Sequence, residues 1–249
     1  MKHLRLIIGF VAAGMLFYLG ACKKDTAGSV TFRFDHRVGN APLELAFIKY
    51  PAQAGHVYSV ERLKYYISRL ALHRDDGLTV QADAPHYREE GVDETATLLL
   101  PAVPDGKYTL LTFLIGLDST VNKPFGLPQT VQNINMEWPI PGEEGYHYMK
   151  FEGKYDSMGS GVVKAFNLHT GATHKHPYYV EVSLPLSDFS VQGNNWMVAL
   201  EMDLNEWLQN PHTYDFEQFG AAIMGNEAAQ QMLRENGATV FRVASMQQE

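Results

Sequence analysis

Val30-Thr31-Phe32-Arg33-Phe34-Asp35-His36 alternates apolar and polar side chains without a break. Successive side chains of an extended chain point to opposite faces. Val30, Phe32 and Phe34 therefore share a buried face, and Arg33 and Asp35 a solvated one. The same period of two returns at 43–47, 95–100, 108–115, 146–151, 162–168, 178–186 and 196–204. In the last of these, Trp196, Val198, Leu200, Met202 and Leu204 oppose Asn195, Glu201 and Asp203. Turn signals divide the runs: Asp75-Asp76-Gly77, Pro104-Asp105-Gly106 and Gln192-Gly193-Asn194. Residues 59–73 carry a mixed signal. Leu63, Tyr66, Ile67 and Leu70 fit a helix, whereas Tyr65-Tyr66-Ile67 favours a strand, so a short helical start followed by a strand is expected. Residues 226–235 read as a helix capped by Asn226 and stopped at Asn236-Gly237, with a final strand over 239–243. Many short strands, few helices and no strand–helix alternation predict an all-β fold. The expected form is an antiparallel β-sandwich with a long ordered loop and a short C-terminal helix.

The chain has 249 residues, 45% of them hydrophobic, and a formal net charge of -8. That suffices for a substantial core, and the absence of a basic patch argues against nucleic-acid partners. Cys22 is the single cysteine, so no disulfide forms within the chain. It follows Leu19-Gly20-Ala21, which ends an apolar run that opens with Lys2, His3 and Arg5. This is the layout of a secretory leader, and the small pair before a cysteine resembles a bacterial lipobox. The expected organisation is a lipoprotein signal peptide over 1–21, a polar tether over 22–29 and one β domain over 30–249. Cys22 would carry the lipid that anchors the protein to a membrane, outside the cytoplasm. Lys23-Lys24-Asp25 resembles lipoproteins placed at the outer membrane, periplasmic or surface-facing.

Residues 118–144 interrupt the rhythm. They hold Pro124, Pro128, Pro139 and Pro141, yet also Val121, Phe125, Leu127, Met136 and Trp138. A loop this long with so much apolar content is expected to be ordered and to fold back across one end of the sandwich. Asp118 opens it and reads as a structural residue that bonds backbone amides.

The histidines form the reactive set, because no phosphate loop, nucleophile elbow or zinc-protease motif is present. His174 and His176 would lie on one side of an extended segment, where two imidazoles can share a metal. His36 continues the buried face of Phe34 and reads as an edge-of-core residue. His147 alternates with Met149 and Phe151 and reads as half-buried, while His56, His73, His86 and His212 read as surface positions. No nucleophile–base–orienter set is visible, so the chain is not expected to be an enzyme.

Several blocks, in order, resemble the MbnP-like copper-binding proteins. They include Phe34-Asp35-His36-Arg37-Val38-Gly39-Asn40-Ala41-Pro42-Leu43, Leu63-Lys64-Tyr65-Tyr66-Ile67-Ser68 and Phe113-Leu114-Ile115-Gly116-Leu117-Asp118-Ser119. Met136-Glu137-Trp138, Gly145-Tyr146, Lys150-Phe151-Glu152-Gly153 and Phe166-Asn167-Leu168-His169 follow. The resemblance implies a β-rich extracytoplasmic protein that binds copper through histidine and an oxidised tryptophan. It also implies a di-haem partner of the cytochrome c peroxidase type that carries out the oxidation. Carried over by position, it points to His36, His169, Trp138 and Met136, with Ile140 standing where the family has a second tryptophan. The rival reading is a metal-free surface lipoprotein that binds glycan or peptide through the long loop and Tyr146, Tyr148, Tyr178 and Tyr179.

Overall fold

A computed structural model describes residues 26–249. Cys22, the leader and the first half of the expected tether lie outside the described residues. The strands are β1 (Ala27–Val38), β2 (Ala41–Pro42), β3 (Tyr50–Pro51), β4 (Val57–Arg74), β5 (Thr79–Gln81), β6 (His86–Glu89) and β7 (Thr97–Pro104). They continue as β8 (Gly106–Ile115), β9 (His147–Asp156), β10 (Val163–Gly171), β11 (Val180–Val191), β12 (Asn195–Asp203) and β13 (Phe241–Gln248). Four short helices join them: α1 (Val131–Ile134), α2 (Glu206–Gln209), α3 (Phe216–Phe219) and α4 (Glu227–Gly237).

Two sheets face each other. One runs β13-β12-β1-β2, with β7 also paired to β1. The other runs β10-β9-β4-β8-β11, with β3, β5 and β6 added along β4. Val30, Phe32 and Phe34 are buried and meet Leu63, Tyr65, Phe113, Phe151 and Phe241 in the core between the sheets. The all-β sandwich read from the alternation therefore stands. One pair departs from antiparallel order: β1 and β12 run parallel, with Val30 opposite Trp196 and Phe34 opposite Leu200. Side-chain alternation is the same in either direction, so period two carries no information on this point.

Three local expectations are corrected. The helical start expected at 59 is strand, because β4 is continuous from Val57 to Arg74. Its ladders shift register between Val60 and Arg62 and between Ser68 and Ala71. Such bulges break the period of two and imitate helical spacing. Both faces of this strand are also covered, Leu63 and Ile67 by the main core and Tyr66 by a second cluster. Residues 43–47 form a turn rather than a strand, with Ala46 at φ 69° and Phe47 exposed. Finally, β1 begins at Ala27, inside the stretch expected as tether.

The loop over 118–144 leaves the end of β8 and returns to the start of β9. Asp118 anchors its base. One carboxylate oxygen accepts from the Thr120 amide (2.7 Å) and the other pairs with Arg69. Leu127 and Met136 are buried with Tyr66, Leu117, Tyr146 and Tyr148 in the second cluster. The loop is thus an ordered layer on the second sheet.

Candidate metal centre

The returning loop makes a short ladder with the residues that lead into β9. The Trp138 amide donates to the Gly145 carbonyl (2.9 Å), and the His147 amide to the Met136 carbonyl (2.6 Å). Glu137 and Tyr146 face each other between these bonds. The ladder fixes the Trp138 indole beside the first residue of β9. Its ring centroid lies 4.8 Å from that of His147, at an interplanar angle of 65°. Gly171 makes room for the indole: a Cβ there would sit 2.6 Å from the Trp138 ring.

Strand β10 supplies the next group. Thr170 pairs with Met149 and Gly171 with His147, which leaves Tyr148 unopposed in a bulge. Strict alternation fails there, and His147 comes to lie against His169. The two imidazoles are 4.9 Å apart between centroids and nearly perpendicular, at 89°.

Each imidazole is anchored through one nitrogen. His147 Nδ1 donates to the Met136 carbonyl (3.0 Å), so Nε2 keeps its lone pair. That Nε2 is buried and has no partner, as is the Trp138 Nε1 donor. His169 Nε2 faces the Glu152 carboxylate at 2.8 Å and so carries the proton, which leaves Nδ1 as the acceptor. Buried polar groups without partners are uncommon and call for an explanation. Burial, reinforced by the nearby Lys150 ammonium, pushes the His147 imidazole down to about 3. It therefore stays neutral and open to a metal at any ordinary pH. The hydrogen bond from His169 holds the Glu152 carboxyl below its usual range.

Among the described residues, no group of three or more His, Cys, Asp or Glu side chains converges on one metal position. The site offers two imidazole lone pairs with an indole beside them. An intact indole N–H donates only, so the metal-binding capacity here rests on His147 and His169.

A family profile, MbnP, matches residues 27–225. The chain belongs to the MbnP family. MbnP from Methylosinus trichosporium has a similar solved structure, with a TM-score of 0.57 at 12% identity, over 89% of this chain and 99% of that one. At that identity the likeness speaks for the fold. No curated protein matches the chain.

In this MbnP-family chain the other expected site residues lie elsewhere. His36 and His169 are not brought together. His36 is buried between the sheets, with Nδ1 against Glu90 (2.5 Å) and Nε2 against the Tyr65 hydroxyl (2.8 Å). Both nitrogens are occupied, which leaves none for a metal. Met136 gives the site its carbonyl, while its side chain is buried in the second cluster. His174 and His176 do not share one side of an extended segment. They belong to a tight turn in which Thr173 and His176 exchange backbone hydrogen bonds, and His174 and Lys175 take left-handed conformations (φ 48° and 65°). Both are exposed. His56, expected at the surface, is buried with Nε2 on Asp215 (3.0 Å). Tyr146, Tyr148 and Tyr178 are also buried, so the long loop does not present them to a glycan or peptide.

His147 is the residue that sequence reasoning passed over. The signal was present in the turn over 157–161. Counting outward along a hairpin closed there sets His169 opposite Lys150, three positions from His147.

Proposed function

We propose that this protein is a lipid-anchored, extracytoplasmic copper-binding protein whose metal is held by His147 and His169 beside Trp138. The observation that carries the reading is the pair of adjacent imidazoles. Each is oriented by a hydrogen bond from one nitrogen, and His147 Nε2 is buried with nothing to bond. Metal-binding histidines characteristically donate their second N–H to a carbonyl or a carboxylate, and this pair uses one of each. Imidazole suits copper, and family membership favours copper over zinc here. The role is one of binding rather than catalysis.

Trp138 is the tryptophan we assign to oxidation by a di-haem, peroxidase-like partner, because its indole packs against the His147 imidazole. Opening its five-membered ring would replace a pure donor with groups able to face a metal. Mass spectrometry after co-expression with such a partner should show Trp138 gaining oxygen and losing carbon. An intact Trp138 would reject this part of the reading. Cys22 is proposed as the membrane anchor, with outer-membrane placement. Cys22→Ser should release the protein or leave the precursor uncut, and unchanged membrane fractionation would contradict the assignment.

The central test is a copper titration of the purified protein against a chromophoric competitor. One copper per chain is expected, with most of it lost in His147→Ala and in His169→Ala and retained in His174→Ala and His176→Ala. A wild-type protein that takes up no copper, or a His147→Ala variant that binds as well as wild type, would sink the proposal.

A further inference from the structure

We propose that Glu152, clamped by Arg62, is a positioning residue that sets which nitrogen of His169 is offered to the metal. The inference rests on the copper reading above and extends it beyond the ligands.

The geometry lies across three strands. Arg62 on β4 stands opposite Glu152 on β9, and His169 sits on β10, the next strand out. Each carboxylate oxygen has one task. Oε1 accepts from His169 Nε2 (2.8 Å), and Oε2 accepts from Arg62 Nη1 (2.6 Å). Three other cations of this face are engaged elsewhere. Lys64 pairs with Glu89 (2.9 Å), Lys150 donates to the Asn135 carbonyl (2.6 Å), and Lys154 pairs with Glu61 (3.7 Å). Arg62 is therefore the side chain that fixes the carboxylate, and the carboxylate is what fixes the imidazole.

Two consequences follow for the site. Glu152 is spent on these bonds and is not itself a ligand. The imidazoles are also anchored through opposite nitrogens, His147 through Nδ1 and His169 through Nε2. Without a carboxylate at position 152, the His169 proton is free to move to Nδ1, and the donor would then be lost or would point away. A carboxylate partner also raises the basicity of a ligating imidazole more than a neutral carbonyl does. The two histidines should thus be unequal donors, with His169 the stronger.

The test begins with the metal-free protein, so it does not depend on copper. In long-range ¹⁵N–¹H spectra of the purified, ¹⁵N-histidine-labelled full chain at pH 8, above the ordinary histidine pKa of about 6.5, His169 should appear as the Nε2–H tautomer. Glu152→Ala should convert it to a mixture and leave the His147 signals in place. The milder Glu152→Gln guards against loss of fold, which far-UV dichroism checks, and should give a partial shift. Copper affinity should fall about 10- to 100-fold in Glu152→Ala, and by less in Arg62→Ala. A wild-type His169 with its proton on Nδ1, or an unchanged tautomer and affinity in a folded Glu152→Ala, would overturn the proposal. If wild type binds no copper, the copper reading fails, and with it the role in metal binding. The tautomer spectra then still report whether Glu152 controls His169.

Discussion

His36 and His147 are both buried imidazoles, and their partners separate them. His36 has a carboxylate on one nitrogen and a tyrosine hydroxyl on the other. His147 has a carbonyl on one and nothing on the other. His36→Ala would strand the Tyr65 hydroxyl and leave Glu90 short of a partner. We expect a loss of about 2–4 kcal/mol in urea unfolding, with copper binding unchanged in whatever fraction remains folded. The distinction was not legible in the sequence, because Glu90 and Tyr65 lie 54 and 29 positions from His36. What the sequence did support was the bland reading of His36 as an edge-of-core residue. Burial also makes a prediction about acid. Folded His147 resists protonation down to about 3, and burial lowers His36 in the same direction. The unfolded chain takes up these protons below about pH 6.5. Stability is therefore full above that pH and declines as pH falls below it, by up to about 1.4 kcal/mol per pH unit for each such histidine. Urea midpoints of the metal-free protein between pH 7.5 and pH 4.5 should show this decline. His147→Asn should flatten it, and an unchanged slope in that variant would reject the account.

The loop over 118–144 and the edge of β10 together make the pocket wall for Trp138. Its order was legible from apolar content, since Leu127, Met136 and Trp138 are indeed buried, although Phe125 and Val131 are not. Its destination was less so. The contact that seats it is the Trp138 ring over Gly171, and a missing side chain leaves no hydrophobic signal to read. Gly171→Ala places a methyl 2.6 Å from that ring. Overpacking of this kind costs about 1–3 kcal/mol. It should lower the melting temperature and weaken copper binding together, whereas a silent Gly171→Ala would show that the indole is not held there. Helix α4 was read nearly to its ends because its start is a local signal: the Asn226 side chain accepts from the Ala229 amide (3.1 Å). Asn226→Ala should cost about 1 kcal/mol, measurable as a shift in the urea midpoint. Strand β4 shows the opposite case, where bulges disguised a strand as a helix.

At the scale of the molecule, the side chains from both sheets interleave in one core, from Val30 on β1 to Phe241 on β13. A single cooperative unfolding transition with a strand-dominated dichroism spectrum is expected, and two well-separated transitions would contradict it. The two-sheet architecture was readable because alternation marks buried faces, whereas strand order and direction depend on contacts between distant segments. The parallel pairing of β1 with β12 bears on when the first sheet can close. Ser29 finds its partner Asn195 166 residues further along the chain, so one edge of the first strand stays open until almost the whole protein has been made. Contacts this distant in sequence slow folding, and the open edge is a template for mispairing. Under the extracytoplasmic placement proposed above, the chain would cross a membrane before folding, and a late-closing strand would keep the nascent polypeptide from locking prematurely. A fragment ending at Gly193 should accordingly remain unfolded or aggregate, even though it retains His147, His169 and every strand through β11.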